Sequence, residues 1–129
     1  MEVSSGASGG MATAEPEVIW RAGPTTNDRN TAVSTSTNHS LISGRRFDQY
    51  RGIGIWYDSD AAAGSGLFSY VPEPAISDMI TNHGTGGREG LVILEAFNTY
   101  KLIKPITQTT FRIYEGSSNV GIRRLYGIP

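Results

Sequence analysis

The last third of the chain constrains the fold more than any other part. Four segments with strand character follow one another there with only short turns between them: "LVILEAF", "YKLIKPI", "TTFRIYEG" and "VGIRRLYG". Such a density of strand signals is typical of an antiparallel sandwich or barrel. We therefore predict an all-β fold, an antiparallel and jelly-roll-like β-sandwich. Helix is expected only as short turns near residues 38–48 or 74–82.

Composition agrees with this fold class. The chain of 129 residues contains 16 glycines, and charged residues make up only 18% of it. A glycine inside a helix costs about 1 kcal/mol relative to alanine, so the glycine content disfavours long helices. Residues 1–14 are rich in Ser, Gly and Ala and predict a flexible segment. Residues 15–129 are expected to form a single domain.

Charge and residue usage argue against several classes of partner. The formal net charge is −1 and no basic stripe is visible, so we expect no nucleic-acid partner. No apolar run approaches the roughly 20 residues that span a bilayer, so no membrane insertion is expected. The chain has no cysteine, which rules out disulfides and thiolate metal sites. "MEVSSGASGG" has no apolar signal region, which predicts synthesis in the cytoplasm.

Strand signals also occur in the first two thirds of the chain. In "YRGIGIWYD" the apolar residues Ile53, Ile55 and Tyr57 alternate with Gly52, Gly54 and Trp56, which predicts a strand. The two glycines suggest either that something packs closely on their face or that the strand bulges. "AISDMITNHGTGGREG" predicts one short helical turn and then a glycine-rich loop. Further strands are expected at "EVIWRA", "TAVSTST" (31–37, at a sheet edge) and "LFSYVPEP".

Catalytic and metal-binding sets are incomplete in the sequence. His39 precedes Ser40, and Asp48 or Asp58 could complete a hydrolytic triad only if the fold brought them together. "DSDAAAGSG" lacks most ligands of a calcium loop, and "GTGGREG" lacks the Lys-Ser/Thr pair of a phosphate loop. We therefore predict no enzymatic activity, no cofactor and no metal.

One enzymatic alternative stays open. The order of Arg21, the "STS" at Ser34–Ser36 and later acidic residues is loosely similar to that of ADP-ribosyltransferases, although the Glu-x-Glu loop is missing. The alternative function is therefore a small ADP-ribosyltransferase-like or hydrolytic enzyme.

Four pieces of the chain resemble a group of bacteriophage proteins. They are "VIWRAG", "STSTNHSLISGRRFDQYRGIGIWY", "TTFRIYEG" and "GIRRLYGIP". In this order they resemble small domains at the C-termini of tail fibres, tail-tip proteins and related virion appendages. The resemblance covers about residues 17–129. Arg21 and Pro129 depart from it, since a small residue and a lysine are usual at these positions.

The resemblance implies a structural or adhesive role in a virion, in a tail fibre, a tail tip or a capsid decoration. It also implies a β-sandwich that assembles as a homotrimer. The implied partners are other copies of the chain, other virion proteins and a host surface receptor or glycan. We expect the subunit interface to use large apolar side chains at Trp20, Trp56, Leu125, Tyr126 and Ile128.

Two loops are expected to be mobile and to face partners, because binding residues concentrate on loops held by a rigid scaffold. The first is Ser59–Gly66, with Ser59, Asp60 and Gly64. The second is Gly84–Gly90, with Gly84, Gly86 and Arg88.

The end of the chain, "NVGIRRLYGIP", has an unusually apolar character. We predict that Ile122, Leu125 or Tyr126, and Ile128 are buried in a terminal strand or its subunit contact. At least one of Arg123 and Arg124 should point outward or be paired. A strand alternates its faces, so a bulge or bend near Gly121 or Gly127 is expected to adjust which residues face inward.

Overall fold

The computed structural model of the protein describes residues 15–59 and 66–129. The predicted flexible segment 1–14 lies outside the described residues. So do Asp60 and Gly64 of the predicted loop Ser59–Gly66. Strands make up 46% of the structure and helix 13%, which confirms the all-β prediction. The elements are β1 (Glu17–Arg21), β2 (His39–Ser40), a 3-10 turn (Phe47–Gln49), β3 (Gly52–Asp58), β4 (Leu67–Pro72), α1 (Glu73–His83), β5 (Val92–Ala96), β6 (Thr99–Thr107), β7 (Thr110–Gly116) and β8 (Gly121–Ile128).

These strands form two antiparallel sheets of four. The order is β1-β8-β3-β4 in the first sheet and β2-β7-β6-β5 in the second sheet. Of the described strands, β1 thus pairs with β8, and β2 pairs with β7. This nesting is shared with jelly rolls, whereas β3–β4 and β5–β6 are pairs of strands adjacent in sequence.

The core lies between the sheets and follows the strand alternation. Ile53, Ile55 and Tyr57 of β3 are buried in one cluster with residues of the second sheet such as Leu94 and Ile113. Gly52, Gly54 and Trp56 therefore face away from the core, as the sequence predicts.

β8 lies between β1 and β3, so the end of the chain is paired on both sides. Ile122 and Leu125 are both in the core although three positions separate them. A bulge makes this possible, because Tyr57 pairs with Ile122 while Trp56 pairs with Arg124, which leaves Arg123 as the extra residue. The predicted bulge therefore exists, at Arg123, two residues after Gly121.

α1 is longer than the single turn predicted from sequence, since it runs for 11 residues. Proline fits the first turn of a helix, where its missing N–H has no intrahelical partner, so Pro74, the second residue of α1, does not break the helix. Ile76, Met79 and Ile80 share one side of α1, and that side packs on the core cluster. Tertiary packing thus extends a segment whose intrinsic helix propensity is modest.

The predicted strand at 31–37 does not form. Its place is taken by an irregular segment, and the short strand β2 begins only at His39. The Ser34 hydroxyl accepts hydrogen bonds from the backbone N–H groups of Ser36 and Thr37, at 3.1 and 3.0 Å. Such local side-chain bonds compete with the ladder bonds of a strand, which is why the Ser/Thr-rich pattern misled the prediction.

Within residues 15–59 and 66–129, no helix has the length and apolar character needed to cross a membrane.

Candidate interaction surface

Within residues 15–59 and 66–129, the outer face of the first sheet is covered at one end only. There the Asp58 carboxylate is buried beneath Arg29 and Arg123, with 2.8 Å from Arg29 Nε to Asp58 Oδ1. Arg123 Nη1 also donates to Asn27 Oδ1 at 3.1 Å. These bonds hold the loop between β1 and β2 against the sheet.

The other end of this face is an open apolar groove of about 490 Å³. Gly54 lies on its floor, and a Cβ placed there would make only ordinary contacts with Ile128 and Tyr126, at 3.6 and 3.7 Å. The groove thus exists partly because this position has no side chain. Its lining is Pro16, Gly54, Phe68, Ser69, Tyr70, Tyr126 and Ile128.

Aromatic rings form a row along this groove. The rings of Trp56 and Phe68 stack with centroids 6.3 Å apart, and Phe68 lies 5.8 Å from Tyr126. Phe68 is 67% exposed and Tyr70 is 53% exposed. We call this surface, formed by the groove lining and Trp56, the aromatic face.

A strand without charged side chains lies at the margin of the aromatic face. Among the described strands, β4 is at the edge of its sheet, and its sequence LFSYVP contains no charged residue. Soluble proteins commonly place charges on edge strands, because an uncharged edge invites pairing with another chain. The opposite edge of the same sheet, β1, carries Glu17 and Arg21.

The chemistry of the aromatic face suits apolar partners. The groove lining contains no charged side chain, and its hydroxyl groups come from one serine and two tyrosines. One of these, the Tyr70 hydroxyl, already donates to the Arg51 carbonyl at 3.3 Å. A concave apolar surface with exposed aromatic rings is typical of binding sites and protein interfaces.

The glycine-rich loop covers part of the outer face of the second sheet, and the buried Lys104 holds this loop in place. Lys104 Nζ donates to the carbonyls of Gly86, Gly87 and Glu89, and it lies 5.5 Å from the centre of the Tyr114 ring. Burial lowers the pKa of Lys104. The predicted partner-facing residues Gly84, Gly86 and Arg88 are exposed, but their loop is anchored at this amine. The role of this loop in binding a partner stays a prediction.

Lys101 anchors a second segment, but from the inner face of the same sheet, where it pairs with Leu94 of the core. Its Nζ donates to the Thr31 carbonyl at 2.8 Å, and burial lowers its pKa. Neither lysine reaches the aromatic face, which belongs to the other sheet.

The five residues predicted for a subunit interface fall into two groups. Trp20 and Leu125 are only 7% and 1% exposed and lie in the core of the chain itself. Their side chains expose too little surface to form a subunit interface, because the strand alternation and the bulges place them in the core. Trp56, Tyr126 and Ile128 belong to the aromatic face. Arg124 is partly exposed beside them, with its guanidinium 5.9 Å from the Trp56 ring, so one of the two arginines does point outward.

The candidate catalytic residues are engaged elsewhere. His39 packs against the rings of Trp20 and Phe111, and burial lowers its pKa. Asp58 binds Arg29 and Arg123, while Asp48 binds Arg46. Among the described residues, no cluster of three or more His, Asp or Glu side chains could hold a metal ion.

Sequence reasoning missed Phe97, which it placed at the end of a strand. Ala96 pairs with Thr99, so Phe97 and Asn98 form the two-residue turn between β5 and β6. Phe97 is 89% exposed and has a φ of 56°, a left-handed conformation that is unfavourable for a phenylalanine. The available signal was the "FN" pair between two alternating segments, where such a turn normally has Asn-Gly.

Comparison with known proteins adds no relative: no protein-family model matches the chain, and neither a curated protein nor a solved structure matches it significantly.

Proposed function

We propose that this protein is a structural, self-associating component of a bacteriophage virion, in a tail fibre, a tail tip or a capsid decoration. Copies join through the aromatic face, in a homotrimer. The assembled module is held in the particle by other virion proteins and contacts a host surface receptor or glycan.

The observation that carries this proposal is the aromatic face. Monomeric proteins rarely leave a contiguous apolar surface with several exposed aromatic rings uncovered, so such surfaces usually mark an interface. Phe68 and Tyr70 are more than half exposed there, on an edge strand without charges. A second copy of the chain would bury this surface and cover the edge.

The resemblance to virion appendage domains supports the same role. The segments that carry most of it, "VIWRAG" and "GIRRLYGIP", contribute the neighbouring strands β1 and β8. They therefore belong to one structural unit rather than to separate parts of the chain.

Particle composition tests the proposal. Particles purified from an infected culture on a density gradient should contain the chain, and an antibody against it should label one appendage or the capsid surface in electron micrographs. Recovery of the chain only in the soluble part of the lysate, with unlabelled particles, would reject a virion role.

A further inference from the structure

We propose that Phe97 of one copy inserts its ring into the groove of the aromatic face of a second copy. This inference rests on the proposed self-association, and it names the side chain and the groove that make the contact.

The exposed position of Phe97 motivates the proposal. It is the most exposed of the large hydrophobic side chains in the described residues, and it lies at the tip of the β5–β6 hairpin. A phenyl ring in water gives no stability to its own chain. Its backbone is also in the left-handed region, where asparagine or glycine would be less strained. Strained residues on an exposed tip are candidates for a function in binding.

The groove has the matching chemistry. Its volume of about 490 Å³ and its apolar lining suit an aromatic side chain. Phe68 and Tyr126 present ring faces and edges, and aromatic rings pair favourably in tilted or offset arrangements. A glycan would instead need polar groups around the rings, and the lining contains no charged or amide side chain.

The two partners lie on different parts of the chain. Phe97 follows the end of β5 in the second sheet, whereas the groove lies on the outer face of the first sheet. Phe97 is 89% exposed and is not part of the groove lining of its own chain, so its ring is free to enter a groove on another copy. Each copy offers one ring and one groove. Such a head-to-tail contact closes into a ring when the rotation allows it, and three copies would give the proposed trimer.

Three single substitutions test the contact, with light scattering and sedimentation as readouts. Phe97→Asn removes the ring and suits the left-handed turn, so it should fold well and weaken association roughly 30-fold or more. Gly54→Val should place methyl groups in the groove and weaken association similarly. Ile93→Asn is the matched control, because Ile93 is an exposed apolar residue of the same hairpin. It should leave association unchanged.

Mixing the two weakened variants gives the decisive result. The Phe97→Asn chain keeps its groove and the Gly54→Val chain keeps its ring, so the mixture should form a pair containing one chain of each. The pair should not grow further, because its Phe97→Asn chain has no ring to insert and the groove of its Gly54→Val chain is filled. Circular dichroism and melting curves confirm that each variant is folded.

Each other outcome contradicts the inference in a recognisable way. If the Phe97→Asn chain associates as well as the unchanged chain, Phe97 is not the contact, while self-association stands. If both variants are monomeric but their mixture is too, the two residues do not meet. If the unchanged chain is monomeric at micromolar concentration, self-association itself is rejected.

Discussion

A few buried charged side chains hold the loops of this small sandwich against its strands. Arg123 and Asp58 are buried together, and Lys101 and Lys104 donate to loop carbonyls. The sequence placed Asp58 and Arg123 in strands but gave no sign that they would meet, since 65 positions separate them. Long-range contacts of this kind depend on strand order, which local patterns do not encode.

Replacing Asp58 tests the importance of the buried pair. The Asp58→Ala variant leaves the buried Arg123 without its carboxylate, and breaking such a pair typically costs about 3–5 kcal/mol. We therefore expect a clearly lower free energy of unfolding in urea. Asp48→Ala is the control, because the Arg46–Asp48 pair is exposed, and its unfolding midpoint should stay near that of the unchanged chain. Equal effects of the two substitutions would contradict the account.

Protonation of His39 should lower the free energy of unfolding in mild acid. Burial lowers the pKa of His39 below its usual 6.5, so the folded chain holds its proton less tightly than the unfolded chain. Stability should therefore fall as the pH drops from 6.5 to the lowered pKa, and level off below it. His39→Phe keeps a ring against Trp20 and Phe111 and should remove this component. NMR titration of the imidazole gives the pKa directly, and a value above 6.5 would contradict the argument.

At the scale of elements, alternation in the sequence was the reliable guide. It correctly predicted β3 with its glycine-bearing outer face, and the succession of strands from β5 to β8. It failed at residues 31–37, where the Ser34 hydroxyl binds the local backbone. It also failed at α1, where packing on the core lengthens the helix. The outward position of Trp56 was predictable, but the groove was not, because it needs β8 beside β3.

The conformation at the end of β7 requires a glycine, Gly116. Gly116 has a φ of 136°, and a Cβ there would collide with the backbone of Tyr100 and Lys101. Gly116→Ala should therefore lower the free energy of unfolding by about 1–3 kcal/mol or more. Gly86→Ala is the matched control, since nothing lies within 4 Å of a Cβ there. If Gly116→Ala left the free energy of unfolding unchanged, the backbone at the end of β7 would have a different conformation from the one described.

The glycine-rich loop should depend on one lysine. In the Lys104→Met variant the carbonyls of Gly86, Gly87 and Glu89 lose their common donor. Amide hydrogen exchange should then become faster around residues 84–90. Lys101→Met is the control, because it should speed exchange near Thr31 and leave the glycine-rich loop unchanged. Unchanged exchange in both variants would mean that the lysines do not hold these segments.

For the whole molecule, the two sheets differ in what covers them. Loops anchored by Lys104 and Arg112 lie over part of the second sheet. Among the described residues, the aromatic face of the first sheet stays open next to the uncharged strand β4. This asymmetry gives the chain one side suited to association. The apolar strand β8 lies in the interior of the first sheet, paired with β1 and β3.

The mass of the protein in solution tests the self-association of the aromatic face most directly. Light scattering at micromolar concentration should give three chain masses for the unchanged protein and one for Phe68→Lys, whose new charge lies on the aromatic face. Ile93→Lys, at a similarly exposed position on the other sheet, should remain trimeric. A monomeric unchanged protein, or a Phe68→Lys variant that stays trimeric while folded, would contradict the claim that copies join through this face.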